Sequence, residues 1–369
     1  QVVYDMRPGD VFWAASDVGW VVGHSYIVYG PLLAGCTTVL YEGKPIRTPD
    51  AGAFWRVCAE YGVKALFAAP TAFRAIRKED PNASLAHAAD LSKLERLYLA
   101  GERLDPPTWA WLEEHFKRPI IDHWWQTETG WAIAANPAGY ELQTAKMGSA
   151  TWPMPGFEVA ILDDEGLPVK TGVQGNIALK MPLPPGCLTG IWGNPARFRE
   201  GYLNVFPGYY QSGDAGYLDH DGYVFVMGRT DDIINVAGHR LSTGEMEEVL
   251  GAHPAVAECA VIGIPDELKG ELPLGLVVLK NDMHIDAGTL SAELVAMVRR
   301  DIGALACFKG ALVVKRLPKT RSGKILRRIM RQMAGGETFA VPSTIDDPAC
   351  LDELAEQLRP EALQISRST

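Results

Sequence analysis

The segment KRLPKTRSGKILRRIMR gathers Lys315, Arg316, Lys319, Arg321, Lys324, Arg327, Arg328 and Arg331 without one acid, in a chain where 45 Asp and Glu outnumber 35 Lys and Arg. Such a cluster predicts an anionic ligand. Thr320, Ser322 and Gly323 precede a basic helix expected from Lys324, whose N-terminal N–H groups would reinforce phosphate binding beside that lysine. A solvated basic face is the plainer alternative for an isolated run. A P-loop is excluded, because the first glycine and the Ser or Thr after the lysine are missing. In DHWWQTETGW, Asp122 to Trp131, tryptophans can wall a small apolar group or stack a base. Thr127 and Glu128 add a hydroxyl and a carboxylate suited to a phosphate and its Mg²⁺. A third stretch, Tyr209 to Arg240, holds Asp214 and Arg229, a carboxylate that can accept from a ribose diol and a guanidinium that can grip phosphate. Singly, these residues also fit core, turn and salt-bridge roles.

These residues need a scaffold to position them. From Val11 to His123, short apolar runs (VFWAA, TTVLY, KALFAA, RLYLA, PIID) alternate with helical patterns near Tyr26–Ala34, at Ala53–Tyr61, after Pro70 and at Pro106–Phe116. That alternation predicts an α/β fold with a parallel sheet covered on both faces. Ligands of such sheets gather at the carboxyl ends of strands, so the loops after Ala15, Ala69, Ala100 and Asp122 are where chemistry is expected. After Gly148 the texture becomes β-rich (FEVAIL, QGNIALKM, GYVFVM) without long helical periodicity. From Asp231 it becomes α+β: a hydroxyl-capped helix at Ser242–Leu250, AECAVIGI, a helix near Ser291–Ile302, ALVVK and the basic helix. The expected organisation is therefore 1–147, 148–230 and 231–369, with Asp231 at a hinge.

The 369 residues carry a formal charge of −10 and near-average hydrophobic content. This argues against nucleic acid or anionic lipid as a partner. Cys36, Cys58, Cys187, Cys259, Cys307 and Cys350 form no CxxC pair, so neither a zinc framework nor a disulfide scaffold is expected, and a reducing compartment is. The uncharged stretch Val18–Tyr41 is broken by glycines and Pro31, which favours buried strand and helix over a membrane span. The chain opens on QVVYDM rather than on a methionine, and reads as an internal starting point.

GHSYIVYGPLLAG, APTA, YLAGE, DHWWQTETGW, GYYQSGDAGY, GRTDDIINVAGHRL and LPKTRSGKILRR, in this order, resemble the AMP-forming acyl-CoA synthetases of the adenylate-forming superfamily. The short-chain acetyl and propionyl members are most similar, and PLPPGCLTGIW with TIDDPACLDEL is similar to the propionyl branch. The resemblance implies a large α/β domain, a β-rich subdomain and a small mobile C-terminal domain. It also implies a two-step reaction in which a short carboxylate and Mg·ATP give an acyl-adenylate, and CoA then takes the acyl group. By motif matching, Lys324 would serve catalysis in the first step, and Asp231 would be the hinge. Gly101, Glu102, Arg103, Asp122, His123, Trp124, Trp125, Gln126, Thr127, Asp214, Arg229 and Arg240 would bind ATP or AMP. Glu128 would serve Mg²⁺, with Gly251, His253 and Val256 as further metal-associated positions, although an exposed histidine at a helix C-terminus explains His253 equally well. Ala237 and Arg299 would contact CoA. Val21, Val22, Ala100 and Trp125 would line the acyl pocket.

Ala100 stands where acetate enzymes tend to carry Val. Two missing methyls admit about one more carbon, and one methylene discriminates by ~1–3 kcal/mol, so propionate is expected to be preferred without excluding acetate. 3-Hydroxypropionate remains open. The family's Ser/Thr/Gly-rich phosphate loop and roughly the first half of its large domain have no counterpart here, Arg103 replaces a proline, and Ala237 replaces a serine. A catalytically incomplete nucleotide- or CoA-binding module, such as one part of a fused multienzyme, is the alternative. Cytosol and mitochondrial matrix both fit, and acylation of the Lys324 ammonium would act as a switch through an acyltransferase and a deacylase.

Overall fold

A computed structural model of the chain describes residues 1–237, 239–280, 283, 285–320 and 323–365. It divides into two compact units, Gln1–Val226 and Met227–Thr369. In the first, β1 (Val11–Ala14), β2 (Thr37–Thr38), β3 (Ala65–Ala68), β4 (Arg96–Leu99) and β5 (Ile120–Asp122) form a parallel sheet in the order β2-β1-β3-β4-β5. Successive side chains of a strand face opposite ways. Trp13, Leu66, Leu97 and Leu99 accordingly join one apolar cluster, and Phe12, Ala14, Phe67 and Tyr98 another. Both faces are dry, which is why these strands read as unbroken apolar runs.

A π-helical segment, Gly23–Tyr29, runs into α1 (Gly30–Leu33), followed by α2 (Ala53–Tyr61), α3 (Pro70–Glu79), α4 (Ser84–His87) and α5 (Pro106–Phe116). Proline at the first turn of α3 and α5 costs no hydrogen bond, and Asp105 caps α5 by accepting from the Thr108 N–H at 2.9 Å. The strand expected over TTVLY shrinks to two residues, because β2 is an edge strand paired only with β1.

β6 (Trp124–Trp125), β7 (Ala132–Ala135) and β8 (Trp152–Pro153) form a small antiparallel sheet, with a register shift between the two tryptophans. β9 (Val159–Leu162), β10 (Gly175–Lys180), β11 (Tyr209–Leu218) and β12 (Val224–Arg229) form another, in the order β12-β11-β10-β9. Between β10 and β11 lies α6 (Pro195–Tyr202), which the sequence reading lacks. None of its residues is buried, so it leaves no apolar stripe to detect; Asn194 starts it by accepting from the Arg197 N–H.

In the second unit, β13 (Ile233–Val236), β14 (His239–Ser242), α7 (Thr243–Gly251), β15 (Val256–Asp266), β16 (Gly270–Leu279), α8 (Ala287–Asp301), β17 (Ala311–Val313), α9 (Arg327–Ala334), α10 (Ala349–Ala355) and α11 (Pro360–Ile365) follow in turn. Its sheet has the order β14-β13-β16-β15, with β17 parallel to β16. Leu290, Leu294 and Val298, one turn apart on α8, join Met246 and Leu250 of α7 in its core. Two expected boundaries move. α8 starts four residues early, because Asp286 caps it through the Thr289 N–H. The basic helix begins at Arg327 rather than Lys324, because Ile325 pairs with Lys319 as a β-bridge and the Lys324 carbonyl accepts from the Thr320 N–H. Among the described residues no helix is long and apolar enough to cross a membrane.

Ser242 is buried and doubly engaged: its Oγ donates to the Met227 carbonyl at 3.0 Å and accepts from the Glu245 N–H that opens α7. Ser242→Ala removes the cap and orphans that carbonyl. Urea unfolding of the variant is expected to show a loss of about 1–2 kcal/mol, against no measurable change if neither bond matters.

Candidate active site

The first unit builds its site where β11 is broken. Opposite Ile177 and Ala178, the register of β11 jumps from Asp214 to Gln211, so Ser212 and Gly213 bulge out. Gly213 has φ +71°, a conformation that glycine adopts without strain. Ser212 Oγ donates to the Ile177 carbonyl at 2.5 Å and accepts from the Asp214 N–H at 3.0 Å. The bulge thereby aims the buried Asp214 carboxylate at the tryptophan-rich loop. There Oδ2 accepts from the Trp124 indole N–H at 3.0 Å and from the Gln126 amide at 2.5 Å. A buried carboxylate stays ionised only if donors replace the water it loses, and these supply them.

Gln126 also donates to the Ser212 carbonyl, and its amide oxygen accepts from the Tyr210 hydroxyl at 3.0 Å. Tyr202 stacks on Tyr210 at 5.5 Å and donates to Glu128 at 2.9 Å. One connected network thus joins Trp124, Gln126, Asp214 and Glu128. The sequence does not single out Tyr202 or Tyr210, since neither lies in a spacing that marks a side chain as a hydrogen-bond bridge. Thr127 is exposed beside the network.

At the carboxyl end of β4, Gly101 is exposed with φ +98°. Glu102 accepts from the Thr71 N–H at 2.7 Å, from the Thr71 hydroxyl, and from Arg74 at 2.6 Å, while Arg74 also reaches Asp105 at 2.9 Å. The first turns of α3 and the loop after β4 are therefore joined by a charged clasp. Of these, Thr71 falls in the APTA motif, while nothing in the sequence singled out Arg74.

Asp122 ends β5, where burial pushes its carboxyl up to about 8 against the opposing pull of the Arg103 guanidinium. The side chain of His123 goes into the core, ringed by Tyr4, Tyr26, Phe67 and Tyr98. Its Nε2 pairs with the Tyr4 hydroxyl at 2.7 Å, and burial pushes the imidazole down to about 4. Val22, Ala100 and Trp125 share one apolar cluster, with Tyr26 edge-on to Trp125 at 5.0 Å. Val21 is half-buried and is not among the members of that cluster.

The second unit carries the remaining candidates. Lys324 lies in a tight hairpin rather than on a helix: its N–H donates to Thr320 Oγ1 at 3.1 Å, and its carbonyl accepts from the Thr320 N–H at 2.8 Å. Gly323 has φ +88°, while Arg321 and Ser322 lie outside the described residues. Arg229 approaches Asp231 at 3.6 Å, and the Asp231 carbonyl accepts from Arg331 of α9. Ala237 donates its N–H to the Lys269 carbonyl. Arg240 sits on β14 opposite Asn235, its side chain outside what is described. Gly251 ends α7, Val256 opens β15, and Arg299 lies in the last turn of α8. His253 is buried, not exposed as the helix-end reading expects. Its Nδ1 accepts from the Ala255 N–H at 3.1 Å, and its Nε2 lies 2.9 Å from Glu293, so both ring nitrogens are engaged.

Residues 1–192 match the AMP-binding enzyme family, and residues 245–324 match the AMP-binding enzyme C-terminal domain. The chain is 51% identical over 97% of its length to human mitochondrial acyl-CoA synthetase short-chain family member 3, covering 52% of that protein. It is 44% identical over 96% of its length to the propionate–CoA ligase of Escherichia coli, covering 57% of it. It thus spans little more than half the length of these relatives. An anthranilate CoA ligase in complex with anthranoyl-AMP superposes with a TM-score of 0.76 at 28% identity, over 90% of this chain and 61% of that one. Acetoacetyl-CoA synthetase from Streptomyces lividans shares the fold, with a TM-score of 0.85 at 24% identity over 98% and 55%.

Asp122 generates a pH-dependent prediction. Its folded carboxyl holds a proton up to about 8, whereas an unfolded aspartate loses it near ~4, so ionisation favours unfolding across that window. Asp122→Asn is expected to match the parent in stability at the acid end. It should then gain by up to about 1.4 kcal/mol per pH unit as pH rises, levelling off once the folded carboxyl ionises. Denaturation at a series of pH values reads this, and a constant difference would remove the burial argument. The adenylate-forming architecture and both family matches lead to one conclusion: this chain belongs to the AMP-binding enzyme family.

Proposed function

We propose that this chain supplies most of the catalytic apparatus of an AMP-forming short-chain acyl-CoA ligase, with propionate as the preferred acid. The buried Asp214 carboxylate, held by Trp124 and Gln126, carries the reading. Two protein donors fix Oδ2, and a ribose diol offers the hydroxyl protons that a carboxylate accepts. Gly101, Glu102 and Arg103, with Asp122 to Thr127, border the nucleotide at the carboxyl ends of β4 and β5, where a parallel sheet binds ligands. His123 acts there from the core, by packing. Arg229 and Arg240 are assigned to phosphate and ribose, and Ala237 and Arg299 to CoA.

In the first step the carboxylate oxygen attacks the α-phosphorus and pyrophosphate leaves. The Lys324 ammonium steadies the charge gathering on the reacting oxygens, a task for a positioned cation rather than a base. The Thr320–Lys324 hairpin fixes the backbone from which that side chain extends. In the second step CoA sulfur attacks the acyl carbon and AMP leaves. Asp231 is the residue about which the second unit turns between steps. Glu128 fits the Mg²⁺ that accompanies ATP, since such an ion takes one or two carboxylates and completes its shell with phosphates and water. Gly251, His253 and Val256 can contribute main-chain carbonyls only, the His253 ring being engaged on both sides.

The acyl wall is assigned to Val22, Ala100 and Trp125, with Val21 at its edge. Mixing the full-length protein with propionate, ATP and Mg²⁺ is expected to release pyrophosphate, and an absence of release would leave a binding module. Lys324→Ala is expected to cut adenylation by at least a hundredfold while thioester formation from supplied propionyl-AMP stays within a few-fold. Equal loss of both half-reactions would refute the assigned role. Ala100→Val should swing the kcat/KM ratio toward acetate by ~10-fold or more, corresponding to ~1–3 kcal/mol for one methylene. An unchanged ratio places the acyl group elsewhere.

A further inference from the structure

Five of the six cysteines are ordinary. Cys36, Cys58, Cys187 and Cys350 are buried, and burial pushes each thiol up. Cys259 donates its S–H to the Glu247 carbonyl at 3.2 Å. Cys307 differs: its sulfur accepts from the Lys269 ammonium at 2.9 Å. Among the described residues no other cysteine sulfur has a cation as its hydrogen-bond donor. Lys269 is exposed in the turn between β15 and β16, and Cys307 is half-buried where the helical turn Ala304–Ala306 ends. Both are within reach of a small oxidant, and the Lys269 nitrogen lies directly against the sulfur, which also donates to the Ala304 carbonyl at 3.7 Å.

We propose that Lys269 and Cys307 are a covalent modification site, joined on oxidation by peroxide into an Nζ–O–Sγ bridge. The first peroxide breaks its O–O bond, transfers one oxygen to the thiol and leaves as water, giving a sulfenic acid. A second peroxide accepts two electrons and becomes two waters. Meanwhile one amine N–H and the sulfenic O–H are lost and the N–O bond forms, so that one amine, one thiol and two peroxides give the bridge and three waters. The pairing with Cys307 holds the Lys269 ammonium above the usual lysine range, and oxidation of the sulfur removes that hold, which frees the amine for the second step. A separation of 2.9 Å between nitrogen and sulfur leaves one oxygen to span. The bridge ties two surface turns, and the Lys269 carbonyl in turn holds the N–H of Ala237. This site is independent of the adenylation reading, because neither residue belongs to the assigned catalytic or ligand-binding groups.

The experiment treats the intact protein with hydrogen peroxide, blocks free thiols and maps the digested peptides by mass spectrometry. The expected product joins the Lys269 and Cys307 peptides, heavier than their sum by one oxygen less two hydrogens, and dithiothreitol returns both to their original masses. Lys269→Arg keeps the cation but not the primary amine. It should abolish the joined species while Cys307 still reaches the sulfenic acid, and Cys307→Ser should abolish both. Sulfenic or sulfinic acid at Cys307 in the parent without the Lys269 peptide attached would overturn the proposal. So would faster oxidation at Cys259, or a protein whose Cys307 resists peroxide altogether. Unchanged thermal midpoints in the two surface variants show that loss of the species is not loss of the fold.

Discussion

A carboxylate withdrawn from water is the constraint on which the first unit depends. Asp214 is buried, and Trp124 and Gln126 present N–H donors to one of its oxygens, which offsets part of the cost of taking a carboxylate out of water. Those donors face it because β11 bulges at Ser212 and Gly213, turning the next side chain out of the regular alternation. Tyr210 and Tyr202 extend the same network, the first holding the Gln126 amide oxygen and the second, stacked on it, donating to Glu128. A ligand meeting this network finds donors and acceptors already oriented, which lowers the ordering cost of binding.

The parallel sheet was legible in the sequence because both its faces are dry and its helices carry local start and stop signals. Ala53–Tyr61 and Pro106–Phe116 come out at their expected bounds, the second because proline and an aspartate cap mark its beginning. What escaped was whatever local pattern does not encode. The solvent-facing α6 buries nothing, and the role of Gln126 exists only when residues 84 to 88 positions apart meet. Motif likeness placed Asp214, Glu128 and Lys324 on the chain, but could not say that Ser212 aims the first or that a tyrosine pair holds the second.

The backbone around Lys324 shows why a rule of thumb can single out a residue and give it the wrong geometry. A run of basic residues after Ser and Gly reads as a helix start, and arginines do favour helices. Yet Thr320 uses its own N–H and hydroxyl on the Lys324 backbone, and Lys319 pairs with Ile325, so the helix begins only at Arg327. For a side chain assigned to a reacting phosphate this serves better. A lysine in the first turn of a helix has its backbone direction set by the helix axis. Against Thr320, Lys324 is held at both its N–H and its C=O, which gives its side chain a defined origin. The cations that follow are partly occupied elsewhere: Arg327 forms a paired contact with Glu247, and Arg331 holds the Asp231 carbonyl. Several of the cations that first suggested an anion site are therefore engaged within the second unit, Arg316, Lys319 and Arg327 by carboxylates and Arg331 by a carbonyl, and the assigned chemistry narrows to the Lys324 ammonium.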